Sequence, residues 1–395
     1  MNKDTFCPLP FIHICSQRNG DYMPCGQSRG YPGYNAHTDS LETVWNSEWY
    51  KKLRLDLING IRNSNCDFCW QYDDKQQLSR RTRNLNWHAH REKVINLVEE
   101  AINNDGNISE LPEEILIKLD NTCNLKCPTC NQYQSSQHEK EVSLMQKSGI
   151  ELSSWLTFVD TEWGNRSAEK NKPFPTTILN HIENLTEISI EGGEPLINKQ
   201  LISLLDYCID NNHLDVRIVT TTNLTSITDD IINKLSKMTN VHLWVSWDSL
   251  DAGRFNFIRF PAKYEYFQNN IRRLMQLSIH VNFSYTLSVF NVFDIVDTLI
   301  EIEKYPTAEI VFKPVVAPNY FSPRYLTVEQ KQKVITSLNT YSTPNADLKN
   351  AITETIHLLS IDEGDFSSIV DERTRMLQVY DTIRGTNYKQ LFPYL

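Results

Sequence analysis

A short loop with three cysteines constrains this chain more than any other stretch. Cys123, Cys127 and Cys130 are spaced four and three residues apart, directly after the apolar run at residues 114–119. That run has the composition of a buried β-strand, so the thiols are expected at the carboxyl end of a sheet. Three thiolates leave one iron of a four-iron cluster without a protein ligand, because such clusters usually take four cysteines. From spacing alone, the alternative is a zinc site or a closed cluster with a distant fourth ligand.

Composition narrows the class of protein and its partners. The chain has 395 residues and a formal net charge of −10, so neither nucleic acid nor an anionic membrane is expected as a partner. No apolar run is long enough to span a bilayer, and the N-terminus lacks signal-peptide features, which predicts a cytoplasmic protein. Nine cysteines in such a protein indicate metal ligands rather than disulfides. The basic run at residues 80–83 is interpreted as a solvated linker.

From residue 113 onward, predicted strands and helices alternate. Six strands are expected, each followed by a helix, at residues 114–119, 187–190, 216–221, 241–246, 281–287 and 309–312. This order predicts an α/β fold with a parallel sheet that curls into a full or partial barrel. Chemistry in such folds lies at the carboxyl ends of the strands. The long stretch 148–180, with Trp155 and Trp163, predicts a lid or binding segment.

A glycine pair follows the second of these strands, in the sequence Gly192, Gly193, Glu194, Pro195. Glycines let a ligand approach the backbone closely, and the Glu194 carboxylate is suited to accept hydrogen bonds from an ammonium group. Alone, such a tetrapeptide is equally consistent with a simple turn. Because this tetrapeptide follows the next strand after a three-cysteine loop, it indicates a ligand-binding motif far more specifically than it would alone.

Together the two motifs resemble those of the radical S-adenosylmethionine (SAM) enzymes. The family's CxxxCxxC motif matches Cys123, Cys127 and Cys130, and its GGEP motif matches residues 192–195 letter for letter. The resemblance implies a partial (β/α)6 TIM-like barrel, a [4Fe-4S] cluster and SAM, which is cleaved reductively to a 5′-deoxyadenosyl radical. In this chain Thr129 replaces the aromatic residue that usually precedes the last cysteine, which weakens the expected contact with adenine.

The resemblance extends to the ends of the later strands. Asn223 stands where the third strand usually ends in a Thr-Asn pair. Ser246 and Arg259 are implied to contact the carboxylate of SAM, and Asp248 is implied to be structural or near the ribose. The alternatives are a strand-end cap and a surface salt bridge. No catalytic residue is assigned beyond the cluster ligands.

The N-terminal region is similar to the SPASM or twitch auxiliary-cluster module, which in the family normally follows the barrel. The match covers about residues 5–75 and rests on Cys-Pro-x-Pro at Cys7, Pro-Cys at Cys25 and Cys-x-x-Cys at Cys66 and Cys69. It implies a second [4Fe-4S] cluster held by these four cysteines. The alternative is a zinc-ribbon-like knuckle.

Two cysteines remain outside both sets. Cys208 lies on a predicted helix and is expected in the core, because free cysteine packs as a small hydrophobe. Cys15 follows a run at residues 11–14 that is predicted to be a short strand, and it is either a core residue or a spare ligand.

These observations predict four segments and one function. Residues 1–80 form the auxiliary module, 81–112 a helical connector, 113–321 the barrel and 322–395 a helical extension. The chain is predicted to be a radical SAM enzyme that modifies a peptide or small molecule, with a reductant such as flavodoxin or ferredoxin. The alternative is a non-catalytic scaffold that binds zinc or iron–sulfur clusters.

Overall fold

A computed structural model describes residues 4–75, 78–157, 173–305 and 307–395. Trp163 and much of the predicted lid therefore lie outside the described residues. The strands of the described part are β1 (His13–Ser16), β2 (Tyr22–Met23), β3 (Glu114–Lys118), β4 (Glu187–Glu191), β5 (Arg217–Thr222), β6 (Val241–Ser246), β7 (His280–Leu287) and β8 (Ile310–Pro314).

The α-helices of the described part include several single turns. Their bounds are α1 (Leu9–Ile12), α2 (Leu41–Trp45), α3 (Glu48–Ile58), α4 (Asp67–Asp73), α5 (Arg80–His88), α6 (Glu92–Asn103), α7 (Ser136–Lys147), α8 (Thr176–Leu179), α9 (Lys199–Asp210), α10 (Asp229–Leu235), α11 (Ala252–Ile258), α12 (Tyr264–Leu274), α13 (Ile295–Ile302), α14 (Val328–Thr340), α15 (Ala346–Ser360), α16 (Ser367–Arg384) and α17 (Tyr388–Leu391). Among the described residues, no helix is long and apolar enough to cross a membrane.

The chain divides into two compact units. The first unit comprises the described parts of residues 1–120, 160–220 and 237–241. The second comprises the described parts of residues 121–159, 221–236 and 242–395.

The sheet of the first unit joins the N-terminal strands to the first barrel strands. β1 pairs antiparallel with β2 and parallel with β3, so that His13 lies opposite Glu114. β3, β4 and β5 then continue in parallel. Side chains alternate across the sheet: Ile115 and Ile188 are buried on one face, and Glu114 and Glu187 begin a polar row on the other.

A buried arginine holds the N-terminal helices of the first unit together. Arg54, on α3, is fully buried and donates hydrogen bonds to the carbonyl oxygens of Pro10 at 2.8 Å and Gly106 at 3.0 Å. Its guanidinium also lies over the Trp45 ring, 4.5 Å from the centroid. One buried side chain thus joins carbonyl groups that lie far apart in the sequence.

The second unit combines the last barrel strands with the C-terminal helices. β6, β7 and β8 are parallel, with Ser246 opposite Ser284 and Leu287 opposite Pro314. The helix α16 is anchored by Arg373, which is buried and donates to the Tyr320 carbonyl oxygen at 2.7 Å.

The predicted fold class is confirmed: the chain is a mixed α/β protein with a parallel sheet of the partial-barrel type and a helical C-terminus. Two local predictions were wrong. The run Phe11–Ile14 does not begin as a strand, because residues 9–12 form the turn α1 and β1 starts at His13. Residues 80–83 are not a solvated linker: they begin α5, with Ser79 as its N-cap and Arg81 buried.

Candidate functional site

The start of α7, in the second unit, holds the three-cysteine loop. The Ser135 hydroxyl donates to the Leu125 carbonyl oxygen at 2.5 Å, and His138 Nε2 donates to the Cys127 carbonyl oxygen at 2.7 Å. The Leu125 amide also points to Cys123 Sγ at 3.4 Å, the geometry that stabilises a thiolate. The loop backbone is therefore fixed by the helix that follows it.

A buried ion pair lies beside the central cysteine of this loop. Arg259 Nη1 is 4.0 Å from Cys127 Sγ, and Arg259 Nη2 is 2.5 Å from the Asp248 carboxylate. Asp248 is fully buried and accepts a hydrogen bond from the Thr286 amide at 2.8 Å. Burial raises the pKa of the Cys127 thiol, and the positive charge of Arg259 opposes that rise. Arg259 is thus placed to stabilise negative charge on the loop.

Two more of the predicted residues belong to the second unit, Asn223 just after β5 and Ser246 at the end of β6. Asn223 donates to Asn124 Oδ1 at 2.9 Å, and Asn124 in turn donates to the Thr225 hydroxyl at 2.9 Å. Asn223 is thereby tied to the three-cysteine loop. Ser246 is buried at the last position of β6, opposite Ser284. The structure therefore brings Asn223, Asp248 and Arg259 to the loop, and their roles toward SAM stay predictions.

The glycine motif belongs to the first unit, where it follows β4. A Cβ on Gly192 would lie 2.7 Å from the Leu119 Cβ, so this close approach requires glycine. The Gly193 amide donates to the Asp120 carbonyl oxygen at 3.3 Å. Glu194 is buried and accepts a hydrogen bond from the Leu196 amide at 3.1 Å. The backbone conformation of the motif is thus fixed, and the predicted bond from Glu194 to an ammonium group stays a prediction.

The four N-terminal cysteines line one small cavity in the first unit, together with Arg80 and Arg81. Burial, reinforced by the charges of Cys25 and Cys69, raises the pKa of the Cys7 thiol to about 12. Burial, Cys7 and Cys25 likewise raise the pKa of Cys66 well above its usual range. Thiols that disfavour one another's ionisation in this way need a positive centre among them to become thiolates together.

The remaining cysteines lie apart from this cavity. Cys15 is fully buried on β1 and packs with Met23 and Leu116. Cys208 is fully buried on α9, where burial raises the pKa of its thiol to about 12. Both surroundings are typical of cysteine used as a small hydrophobe.

The residues present fit iron–sulfur clusters at both cysteine sets. In the described part of the chain, no three His, Cys, Asp or Glu side chains are close enough to hold a single metal ion. A four-iron cluster does not need such a group, because each thiolate binds a different iron. Near the three-cysteine loop, the buried Nε of Arg259 and Nη1 of Arg384 have no hydrogen-bond partner among the residues that the structure describes. Near the N-terminal set, the same holds for the buried Nε of Arg80. Unpartnered cationic donors beside thiols suit an anionic cluster.

Sequence reasoning missed the contribution of α16 to the three-cysteine loop. Arg384 is buried and binds both carboxylate oxygens of Glu141, at 3.1 and 2.6 Å. Lys126, inside the loop, binds the same carboxylate at 2.8 Å. Although burial alone would raise the pKa of Glu141, Arg384 and Lys126 hold it below its usual value. No local signal marks this triad, because Arg384 and Glu141 are 243 residues apart in sequence.

Comparison with known proteins gives one family and one curated relative. Residues 117–302 match the model of the Radical SAM superfamily. An uncharacterized protein of Methanocaldococcus jannaschii, MJ0907, is 25% identical over 141 residues, which cover 35% of this chain and 40% of the relative.

The solved structures similar to this chain include SuiB of Streptococcus suis bound to S-adenosylmethionine. That match has 15% identity and a TM-score of 0.34, and it covers 74% of this chain and 61% of SuiB. The structure of native anSMEcpe with bound AdoMet has 14% identity and a TM-score of 0.41, with 58% of this chain and 59% of that one covered. The chain thus spans about three fifths of either protein. The family match is the informative one, and it includes all three cysteines and the glycine motif: residues 117–302 of this chain belong to the radical SAM superfamily.

Proposed function

We propose that this protein is a radical SAM enzyme that modifies a peptide or small molecule. One observation carries the proposal: Cys123, Cys127 and Cys130 lie on a loop to which Asn223 and the Asp248–Arg259 pair are also brought. Asn223 contacts the loop from 99 residues away and Arg259 from 132 residues away. A closed structural site needs only the cysteines, whereas a site that binds a small molecule also needs polar groups around them.

The three cysteines of the loop would hold a [4Fe-4S] cluster with one iron left for SAM. When bound, this cluster supplies the electron that splits the sulfonium of SAM into methionine and a 5′-deoxyadenosyl radical, which takes a hydrogen atom from the substrate. Arg259 would hold a carboxylate through its fork of donors. Asp248 would keep that guanidinium oriented, and Asn223 would keep the loop in place. Gly192 to Pro195 would bind the amino group of SAM.

The N-terminal set, Cys7, Cys25, Cys66 and Cys69, would hold an auxiliary [4Fe-4S] cluster. These residues come from four different local structures, and all line the same cavity. Burial raises the pKa of the Cys7 and Cys66 thiols, so they do not ionise readily. A shared metal cluster would explain why such thiols line the same cavity. We further propose that the protein works in the cytoplasm with a reductant such as flavodoxin or ferredoxin.

The proposal is tested by measuring 5′-deoxyadenosine after anaerobic reconstitution, addition of SAM and reduction. Wild-type protein is expected to form it. Replacement of Cys123, Cys127 and Cys130 together by Ala is expected to reduce it to background. The double variant Cys66→Ala, Cys69→Ala is expected to retain measurable cleavage and to lose turnover of substrate.

The matched control is Cys208→Ala, which removes a buried thiol that lies in neither set. This variant should reconstitute and cleave SAM as wild type does. Protein that takes up zinc alone and forms no 5′-deoxyadenosine would favour the alternative, a non-catalytic metal-binding scaffold.

A further inference from the structure

A second cavity of the first unit lies against the polar face of β1, β3 and β4. Its volume is about 510 Å³, within the range of small-molecule pockets. The strands contribute His13, Glu114, Glu187 and Ser189. The helix α5 covers them with Arg80, Arg83, Asn84 and Trp87, which recur at helical spacing and so form one face.

The acidic side chains of this cavity already have partners. Glu187 binds Arg217 Nε at 2.9 Å and accepts the Ser189 hydroxyl at 2.7 Å. Glu114 lies 3.6 Å from Arg91 Nη1 and 3.8 Å from His88 Nδ1. Burial, with Glu187 and Glu113 adding to it, raises the pKa of Glu114 to about 7. Each carboxyl group of this cavity therefore already faces a cationic side chain.

Of the three arginines of α5, Arg81 pairs with Asp73, whereas Arg80 and Arg83 make no ion pair with the residues that the structure describes. Among the residues that the structure describes, no carboxylate lies within salt-bridge distance of Arg80, and its buried Nε has no hydrogen-bond partner. Arg83 makes one long bond, 3.4 Å, to the Leu78 carbonyl oxygen. Next to them Trp87 exposes 69% of its surface. Glu191 acts on the charge of Arg80 without contacting it. A half-buried guanidinium with no carboxylate in ion-pair contact, beside an open aromatic ring, is a site for an anionic group attached to a flat or apolar body.

We propose that this cavity binds a small molecule or peptide end through a carboxylate or phosphate held by Arg80. Arg80 and Leu9 also line the cavity of the four N-terminal cysteines. A ligand held by Arg80 would therefore lie one side chain away from those thiols. In so far as the ligand is the substrate, the inference rests on the proposed function and makes that substrate an anionic molecule.

The test is isothermal titration of the reconstituted full-length protein with benzoate, phenyl phosphate and neutral benzamide. At least one anion is expected to bind saturably at millimolar concentration or below, and benzamide at least about tenfold more weakly. The tighter of the two anions distinguishes a carboxylate from a phosphate ligand. Binding of neither anion, or equal binding of benzamide, would overturn the proposal.

Variants identify the residue that binds. Arg80→Gln is expected to weaken the anion by about tenfold or more, and Arg80→Lys by less. The matched control, Arg62→Gln, removes an exposed arginine of the same unit that pairs with Asp74, and should bind as wild type. Iron content is measured in each variant. If Arg80 only balances the charge of a cluster, Arg80→Gln would lose iron and keep the wild-type affinity, which contradicts the proposal.

Arg83→Gln keeps the test decisive if Arg80→Gln does not fold, because Arg83 is exposed. It should weaken the anion several-fold, and unchanged affinity in Arg83→Gln would then overturn the proposal. The titrations contain no SAM and no reductant, so the two hypotheses can fail separately. Protein that binds anions and never cleaves SAM contradicts the proposed function. Protein that cleaves SAM and binds neither anion contradicts only this inference.

Discussion

Asp248 and Arg259 depend on each other because both are buried. The carboxylate of Asp248 is fully buried, and Arg259 is its counter-charge. Replacing Arg259 by Met leaves that carboxylate without its ion pair, which is expected to cost about 3–5 kcal/mol of unfolding free energy. The double variant Asp248→Asn, Arg259→Met should lose less than Arg259→Met alone, because no buried charge remains. Denaturant unfolding of the three cluster-free proteins measures both effects. Equal losses in the single and double variants would show that the pair is not coupled.

Glu114 makes the stability of the folded chain depend on pH, in a direction that its pKa determines. Its folded-state pKa is raised from 4.5 to about 7, so the carboxyl is protonated more readily in the folded chain than in the unfolded one. Its contribution to stability is therefore complete below the unfolded pKa and is lost as pH rises through the folded one. Glu114→Gln should gain stability relative to wild type between about pH 5 and about pH 8, on the order of 1 kcal/mol per pKa unit.

The control for Glu114 is Glu183→Gln, which removes an exposed carboxylate of the same unit. Its difference from wild type should stay constant across this pH range. Thermal unfolding at a series of pH values measures both differences. A Glu114→Gln difference that does not change with pH would contradict the environment described for this residue.

Among the elements, the C-terminal helix α16 has the clearest effect on the three-cysteine loop. Arg384 binds Glu141 of α7 and lies over the Tyr380 ring, 4.0 Å from its centroid. Arg384→Met should cost about 3–5 kcal/mol, because Glu141 stays buried with Lys126 as its remaining partner. Amide exchange in residues 123–130 should accelerate in this variant, since α7 holds the loop.

A second arginine of α16 serves as the matched control for Arg384. Arg375 is partly exposed and lies 3.7 Å from Glu372, so Arg375→Met should cost less than about 1 kcal/mol. Its amide exchange in the cysteine loop should equal that of wild type. If both variants accelerate exchange in the loop equally, the acceleration results from a less stable α16 and not from loss of the ion pair between Arg384 and Glu141.

Local sequence patterns predicted the barrel elements well. β6 has the predicted bounds, and β3, β4 and β5 differ from them by one or two residues. β3 has an apolar centre, and β4 alternates buried apolar with polar residues. Both are patterns of a strand that can be identified from local sequence. The helix α5 was not predicted, because the residues on its packed face include arginines in place of apolar residues. One of them, Arg81, is buried and forms an ion pair with Asp73.

Contacts between residues that are distant in sequence could not be predicted from such local patterns. The parallel pairing of β1 with β3 joins residues about a hundred positions apart, and no local feature of His13–Ser16 indicates it. The motifs did indicate the cysteines, because their spacing is itself the signal. The partners that surround the cysteines, such as Arg80, Arg384 and Glu141, are brought to them only by the folded chain. Their positions in the sequence form no motif that would predict these contacts.

At the scale of the whole molecule, each compact unit contains its own cysteine set. The first unit holds Cys7, Cys25, Cys66 and Cys69 around one cavity, and the second holds the three-cysteine loop. Neither set shares a ligand with the other. Loss of one cluster should therefore leave the other assembled.

The most direct test of this account is the iron content of anaerobically reconstituted protein, with Mössbauer spectra to identify the cluster type. Wild type should hold about eight irons, as two four-iron clusters. The triple variant of Cys123, Cys127 and Cys130 and the double variant of Cys66 and Cys69 should each keep about four irons in an intact cluster. Wild-type protein with only one cluster, or loss of all iron in either variant, would contradict two independent sites.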